Sequence, residues 1–136
     1  MAEIRIAFVG AGNMAASIIG GLVAKGHPPA NLSASDPSPE SLERLREVAP
    51  VATSTDNRAA VEGADVVILA VKPQVMEQVC TDIAPALAGG DTVALSIAAG
   101  IPVASLERWL GPGVPVIRCM PNTPALLGAG ASGLYA

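Results

Sequence analysis

"FVGAGNMAAS", residues 8–17, sets three small residues, Gly10, Ala11 and Gly12, between an apolar run and a segment of helical period. Upstream, residues 4–9 alternate little and are β-branched or aromatic at four of six positions, which predicts a buried strand. Downstream, Ala15, Ile18, Ile19, Leu22 and Val23 recur at helical spacing from Met14 to Lys25, and Gly26 is a natural stop. Gly10, Gly12 and Ala15 therefore fit G-x-G-x-x-G/A in the context that motif needs, after a strand and at the opening of a helix. In that reading Gly10 allows the sharp turn, Gly12 lets a pyrophosphate approach the main chain, and Ala15 lets helix and strand pack closely. The N–H groups and positive dipole end at Asn13 and Met14 are placed to hold phosphate oxygens. The plain alternative is a glycine-rich turn that packs without a ligand.

Working outward, the same alternation continues along the chain. Strands are expected at 32–36, 51–53, 66–71, 92–97 and 114–120, and helices at 39–48, 57–63, 73–87 and 103–110. Residues 66–71 form the longest purely apolar run and read as a central strand. Alternating strands and helices predict an α/β domain, Rossmann-like and doubly wound, with a mainly parallel sheet and helices on both faces. The closing stretch "PNTPALLGAGASGLYA" has no clear helical period, and residues 133–136 are expected as a last edge strand. That stretch also reads as unfinished, with more chain expected to follow.

A length of 136 residues suits one domain with one core. Apolar residues make up 51% and aromatic ones only 2%, so Val, Ile, Leu and Ala must fill the interior. A formal charge of -4, with no cluster of lysine or arginine, argues against nucleic acid as a partner. Residues 6–24 carry no charge and are long enough to imitate a membrane span, but four glycines and Asn13 interrupt them. The chain thus reads as soluble and cytoplasmic, without a membrane partner. Cys80 and Cys119 have no metal spacing and are expected to be reduced and buried; no metal site is expected.

Further candidate residues fall where strands end, the ligand side of an open α/β sheet. Asp36 lies 24 residues beyond Gly12, where a carboxylate can accept from ribose hydroxyls and repel a 2'-phosphate, which leans toward NAD. Asp-Pro is also a common turn starter, so Asp36 has a purely structural reading. "AVKP" (70–73) and "SIAAG" (96–100) offer small residues that admit a flat ring, and Lys72 serves either the phosphates or the solvent. Asn122 and Thr123 sit between two prolines, in a rigid polar loop suited to nicotinamide or substrate, or in a proline-braced surface turn. His27 lies in a loop away from the strand ends and is expected to be exposed and non-catalytic. No Ser-His-Asp, paired-carboxylate or metal constellation can be assembled, so no catalytic residue is assigned.

Taken together, "FVGAGNMAASIIGGL", "ADVVILAVKPQVM", "LSIAAGI" and "VIRCMPNTPALLGAGASGLYA" resemble the amino-terminal half of the pyrroline-5-carboxylate reductases over residues 4–136. The resemblance implies hydride transfer from NADPH or NADH to the imine carbon of 1-pyrroline-5-carboxylate, giving L-proline in the last step of its synthesis. It also implies cofactor contacts at Val9, Gly10, Ala11, Gly12, Asn13 and Met14, at Ser35 and Asp36, and at Asn57 near the adenosine. Further contacts follow at Ala70, Val71, Lys72 and Pro73, and at Ala98, Ala99 and Gly100, with Asn122 and Thr123 toward the nicotinamide. Family members often carry a neutral residue at the position of Asp36, which bears on the choice between NADPH and NADH. The family's helical second half, which binds substrate and builds a dimer, is not among these residues. Residues 1–136 are accordingly expected to be a dinucleotide-binding domain, homo-oligomeric only with that helical domain. Two other classes stay open: another small NAD(P)- or deazaflavin-dependent dehydrogenase, and a non-catalytic nucleotide-binding module.

Overall fold

Six short strands, joined so that each of the first five is followed by a connection that starts the next strand at the same edge, make the frame of the described residues. The computed structural model describes residues 4–88, 90–97, 100–111 and 113–118. Along the chain come β1 (Ile6–Val9), α1 (Asn13–Ala24), a single 3-10 turn (Pro29–Asn31), β2 (Leu32–Ser35), α2 (Pro39–Val48) and β3 (Ala52–Ser54). There follow α3 (Asn57–Val61), β4 (Val66–Leu69), α4 (Pro73–Leu87), β5 (Val93–Ser96), α5 (Val103–Leu110) and β6 (Val116–Arg118). The sheet order is β3-β2-β1-β4-β5-β6, and every pairing is parallel. This is the Rossmann-like, doubly wound arrangement expected from the alternation.

The pleat divides the interior into two layers rather than the one core expected from length. On β1, Ile6 and Phe8 face one side with Ala15 and Ile19 of α1 and Leu42 and Leu45 of α2. Ala7 and Val9 face the other, against Met76, Cys80 and Ile83 of α4 and Leu106 and Leu110 of α5. Strands covered on both faces need apolar residues at successive positions, which is why β1 and β4 read as unbroken aliphatic runs. Cys80 is a buried free thiol, as expected; Cys119 lies outside the described residues.

Local chemistry sets the element boundaries. Ser38 caps α2 by accepting from Ser41 N, with Pro39 at the first helical position. β1 begins at Ile6 rather than residue 4: Arg5 N donates to Asp65 Oδ2 at 2.9 Å, and Arg5 O accepts from Asp65 and Val66. β3 starts one residue later than expected, since Val51 N turns back to Ala49 O at 2.8 Å. β4 ends at Leu69 because, after one more ladder bond from Ala70 N to Val9 O, the chain turns toward Pro73 and α4. α3 stops at Val61, ahead of Gly63 at φ +77°. The expected strand at 133–136 and the end of the one at 114–120 fall outside the described residues.

Candidate functional site

β1 neighbours β2 on one side and β4 on the other, so connections leave it in opposite directions and open a crevice beyond its carboxyl end. Gly10 occupies that point. Its φ is +106°, its N–H donates to Ser35 O at 2.7 Å, and an added Cβ would stand 2.5 Å from Ala70 O. The fold itself therefore demands this glycine, for the turn and for the approach of β4. Gly12 differs: its φ of -81° suits any residue, and an added Cβ would meet nothing within 4 Å. It is the N-cap of α1 and supplies no side-chain cap, so the first-turn N–H groups of Asn13 and Met14 have no intrahelical or capping partner. Ala15 is fully buried and lets α1 lie close on the sheet.

Asp36 follows β2 and is already engaged by main chain. Its Oδ2 accepts Ala11 N–H at 2.9 Å and its Oδ1 accepts Ser38 N–H at 2.8 Å. The turn-starting role is thus real, and a link to the glycine turn accompanies it. Ser35, fully buried, donates its hydroxyl to Asn57 Oδ1 at 2.7 Å. That bond orients the Asn57 amide so that its NH2 group, a pure donor, is turned toward other partners.

An open groove of about 600 Å³ runs from Gly10 and Ser35 past Thr55 and Asn57. Its apolar wall is Val71 with Val75 and Val79 of α4, and Gln78, Thr81 and Asp82 form the polar rim. Sequence reasoning named Val71 but missed Val75 and Val79, the part of this wall that α4 supplies. The signal lies in residues 75, 78, 79 and 82, whose helical spacing puts them on one face of α4, while Met76, Cys80 and Ile83 face the core. A shape with an apolar wall, donors at one end and free helix N–H groups at the other can hold a flat heteroaromatic base and a diphosphate.

Ala70 and Val71 are half-buried at the end of β4; Lys72 is exposed as the N-cap of α4, with Pro73 at its first position. Lys72 therefore stands at the mouth of the crevice. Gly100 is exposed at φ +83°, whereas Ala98, Ala99, Asn122 and Thr123 lie outside the described residues. His27 is half-buried rather than exposed, its Nε2 3.1 Å from Ile4 O, at the end of the sheet remote from the crevice. Among the described residues no group of His, Cys, Asp or Glu could hold a metal, and no helix is long and apolar enough to cross a membrane.

A glycine turn at the switch point of a doubly wound parallel sheet, beside an uncapped helix N-terminus, defines a dinucleotide-binding α/β domain. The chain belongs to the family described as NADP oxidoreductase, coenzyme F420-dependent, which matches residues 5–100. It is 57% identical over all 136 residues to the pyrroline-5-carboxylate reductase of Pseudomonas aeruginosa, of which it covers 50%. Its fold superposes on a pyrroline-5-carboxylate reductase from Coxiella burnetii with a TM-score of 0.86 and 38% identity, covering 90% of this chain and 45% of that one. The pyrroline carboxylate reductase of Plasmodium falciparum, solved with NADP bound, gives a TM-score of 0.76 at 28% identity, covering 94% of this chain and 46% of the other. The chain spans about half the length of the curated relatives it matches.

Proposed function

We propose that this chain is the dinucleotide-binding part of a pyrroline-5-carboxylate reductase. The single observation carrying the cofactor half of the reading is the contrast between the two glycines: Gly10 is packed against Ala70, while the face of Gly12 is open. An uncapped helix start beside that opening fits a pyrophosphate on the N–H groups of Gly12, Asn13 and Met14, with Val9, Gly10 and Ala11 shaping the turn. In this reading Ser35, Asp36 and Asn57 serve the adenosine end, and Ala70, Val71, Lys72 and Pro73, just beyond β4, with Gly100 beyond β5, supply further cofactor contacts. When bound, NADPH or NADH supplies a hydride to the imine carbon of 1-pyrroline-5-carboxylate, giving L-proline. In this reading the residues described here bind and orient; the substrate enters through the relatives' names, while the cytoplasmic setting and a homo-oligomer formed with a further domain are part of the same proposal.

The test has two parts. NADPH and NADH are titrated into the chain by fluorescence, and a protein of the relatives' full length containing this sequence is assayed for NAD(P)H oxidation with the cyclic imine. Binding together with imine-dependent turnover is expected. The family description favours one second reading, a reductase of a deazaflavin. Oxidation that requires the deazaflavin and ignores the imine would establish it instead.

A further inference from the structure

Two consecutive amides of the glycine turn are tied to the end of β2 before any ligand arrives. Gly10 N–H donates to Ser35 O at 2.7 Å, and Ala11 N–H donates to Asp36 Oδ2 at 2.9 Å. The second carboxylate oxygen of Asp36 is taken as well, by Ser38 N–H at 2.8 Å, at the start of the turn into α2. One short side chain thus joins the β1–α1 turn to the β2–α2 turn across 25 residues of sequence. We propose that Asp36 is a positioning residue that holds the glycine turn in its binding shape, rather than the residue that chooses between a ribose diol and a 2'-phosphate. The proposal rests on the dinucleotide reading of the site and deepens it.

Four features support this assignment over the ribose role. Each carboxylate oxygen is already paired with a main-chain N–H, so the charge is partly neutralised within the fold. The bond to Ala11 withdraws that amide from the phosphate cradle, leaving the cradle to Gly12 at the N-cap and to Asn13 and Met14 in the first turn of α1. A turn held in place before binding also loses less conformational freedom when it closes on a diphosphate. Ser35 and Asn57 provide an independent donor at the adenosine end, so recognition there does not depend on Asp36.

The experiment uses the 136-residue chain with Asp36→Ala and Asp36→Asn, titrated with NADH, NADPH, ADP-ribose and adenosine. Amide hydrogen exchange is read separately at Gly10 and Ala11 without ligand. Wild-type binding of NADH or NADPH confirms the underlying site; failure to bind either would overturn the dinucleotide reading itself. Given binding, the tether predicts that Asp36→Ala weakens NADH, NADPH and ADP-ribose alike, by roughly tenfold, the scale of one lost hydrogen bond to a charged group. Adenosine, which has no diphosphate, should be unaffected. Asp36→Asn keeps one acceptor oxygen for two donors and should fall between. Exchange at Ala11 should accelerate in Asp36→Ala while Gly10, bonded to Ser35 O, stays protected; a general loss of stability would release both. Weaker NADH binding with tighter NADPH binding would overturn the tether and restore the ribose role, as would unchanged exchange at Ala11.

Discussion

A Cβ at Gly10 would collide with the Ala70 carbonyl on a backbone that already lies at positive φ, whereas a Cβ at Gly12 would enter open space. Gly10→Ala is therefore expected to destabilise the chain by about 3 kcal/mol, combining left-handed strain with overpacking. Gly12→Val should cost only about 1 kcal/mol, the penalty of a poor N-cap, yet abolish dinucleotide binding by filling the space above the cradle. Urea unfolding and calorimetric titration of the two variants separate the roles; a folded Gly12→Val chain with normal affinity would remove the phosphate site from Gly12. The glycine spacing, with Gly10 for the turn and Gly12 for the ligand, was legible in the sequence because it is a local requirement; the packing against Ala70, 60 positions away, that also makes Gly10 a demand of the fold was not. Cys80 gives a second residue-scale expectation. Burial pushes its thiol up to about 11 from 9.0, so between those pH values the unfolded chain loses a proton that the folded chain keeps. Stability is then fully present below pH 9.0 and falls as pH rises toward 11, by about 2–3 kcal/mol in all. Denaturant midpoints for the wild type and Cys80→Ala across that window should converge as pH rises, and parallel curves would show that Cys80 contributes no pH dependence.

Helix α3 shows what an element needs when its own length is insufficient. Five residues cannot sustain a helix alone, so caps and neighbours must hold it. Asp56 Oδ1 accepts Arg58 N–H at 3.0 Å, and Arg58 Nε reaches the Asp82 carbonyl at 2.8 Å and its carboxylate at 3.3 Å on α4. The ion-pair side chains are 56% and 44% exposed, so solvent screens their charge and the pair contributes little compared with the cap. Asp56→Ala should cost about 1 kcal/mol. It should also weaken adenosine binding, because Asn57 is the first residue of α3 and holds its orientation through Ser35. Urea titration and adenosine affinity measure the two effects; loss of stability with unchanged affinity would detach Asn57 from the nucleotide. At this scale the sequence announced elements whose signals are periodic or local, such as α2 with its Ser38 cap and Pro39 start. It placed β3 and the ends of β1 and β4 one to two residues away, since those limits are set by Asp65, Ala49 and the turn into Pro73. The groove wall on α4 was hidden because its residues look like any partly apolar helix face until β2 and α3 are packed opposite.

On the scale of the whole molecule, alternation alone was enough for a parallel, doubly wound sheet, but not for the order β3-β2-β1-β4-β5-β6 that puts the switch point at Gly10. That order decides what this chain does by itself. It gathers a glycine turn, an uncapped helix start and an open groove at the carboxyl ends of the strands, the place where a doubly wound sheet takes a nucleotide. Hydride transfer needs more: the imine carbon must be held roughly 3–3.5 Å from the donor, in line and away from water. Among the described residues, the charged side chains at this edge include Asp36, already bonded to two amides, Lys72, exposed at the mouth, and Asp82, on the groove rim. None of these forms a second wall for a small cyclic imine, and the relatives are about twice as long as the matched region. Residues 1–136 are therefore expected to bind NADPH or NADH while turning over 1-pyrroline-5-carboxylate at least about a hundredfold more slowly than a chain of the relatives' full length, the scale that a misplaced reactant alone costs. Steady-state oxidation of both dinucleotides, measured for the two lengths side by side with the cyclic imine, decides it. Equal turnover by the shorter chain would place the substrate site among the residues already present, and the division between a binding half and a completing half would have to be abandoned.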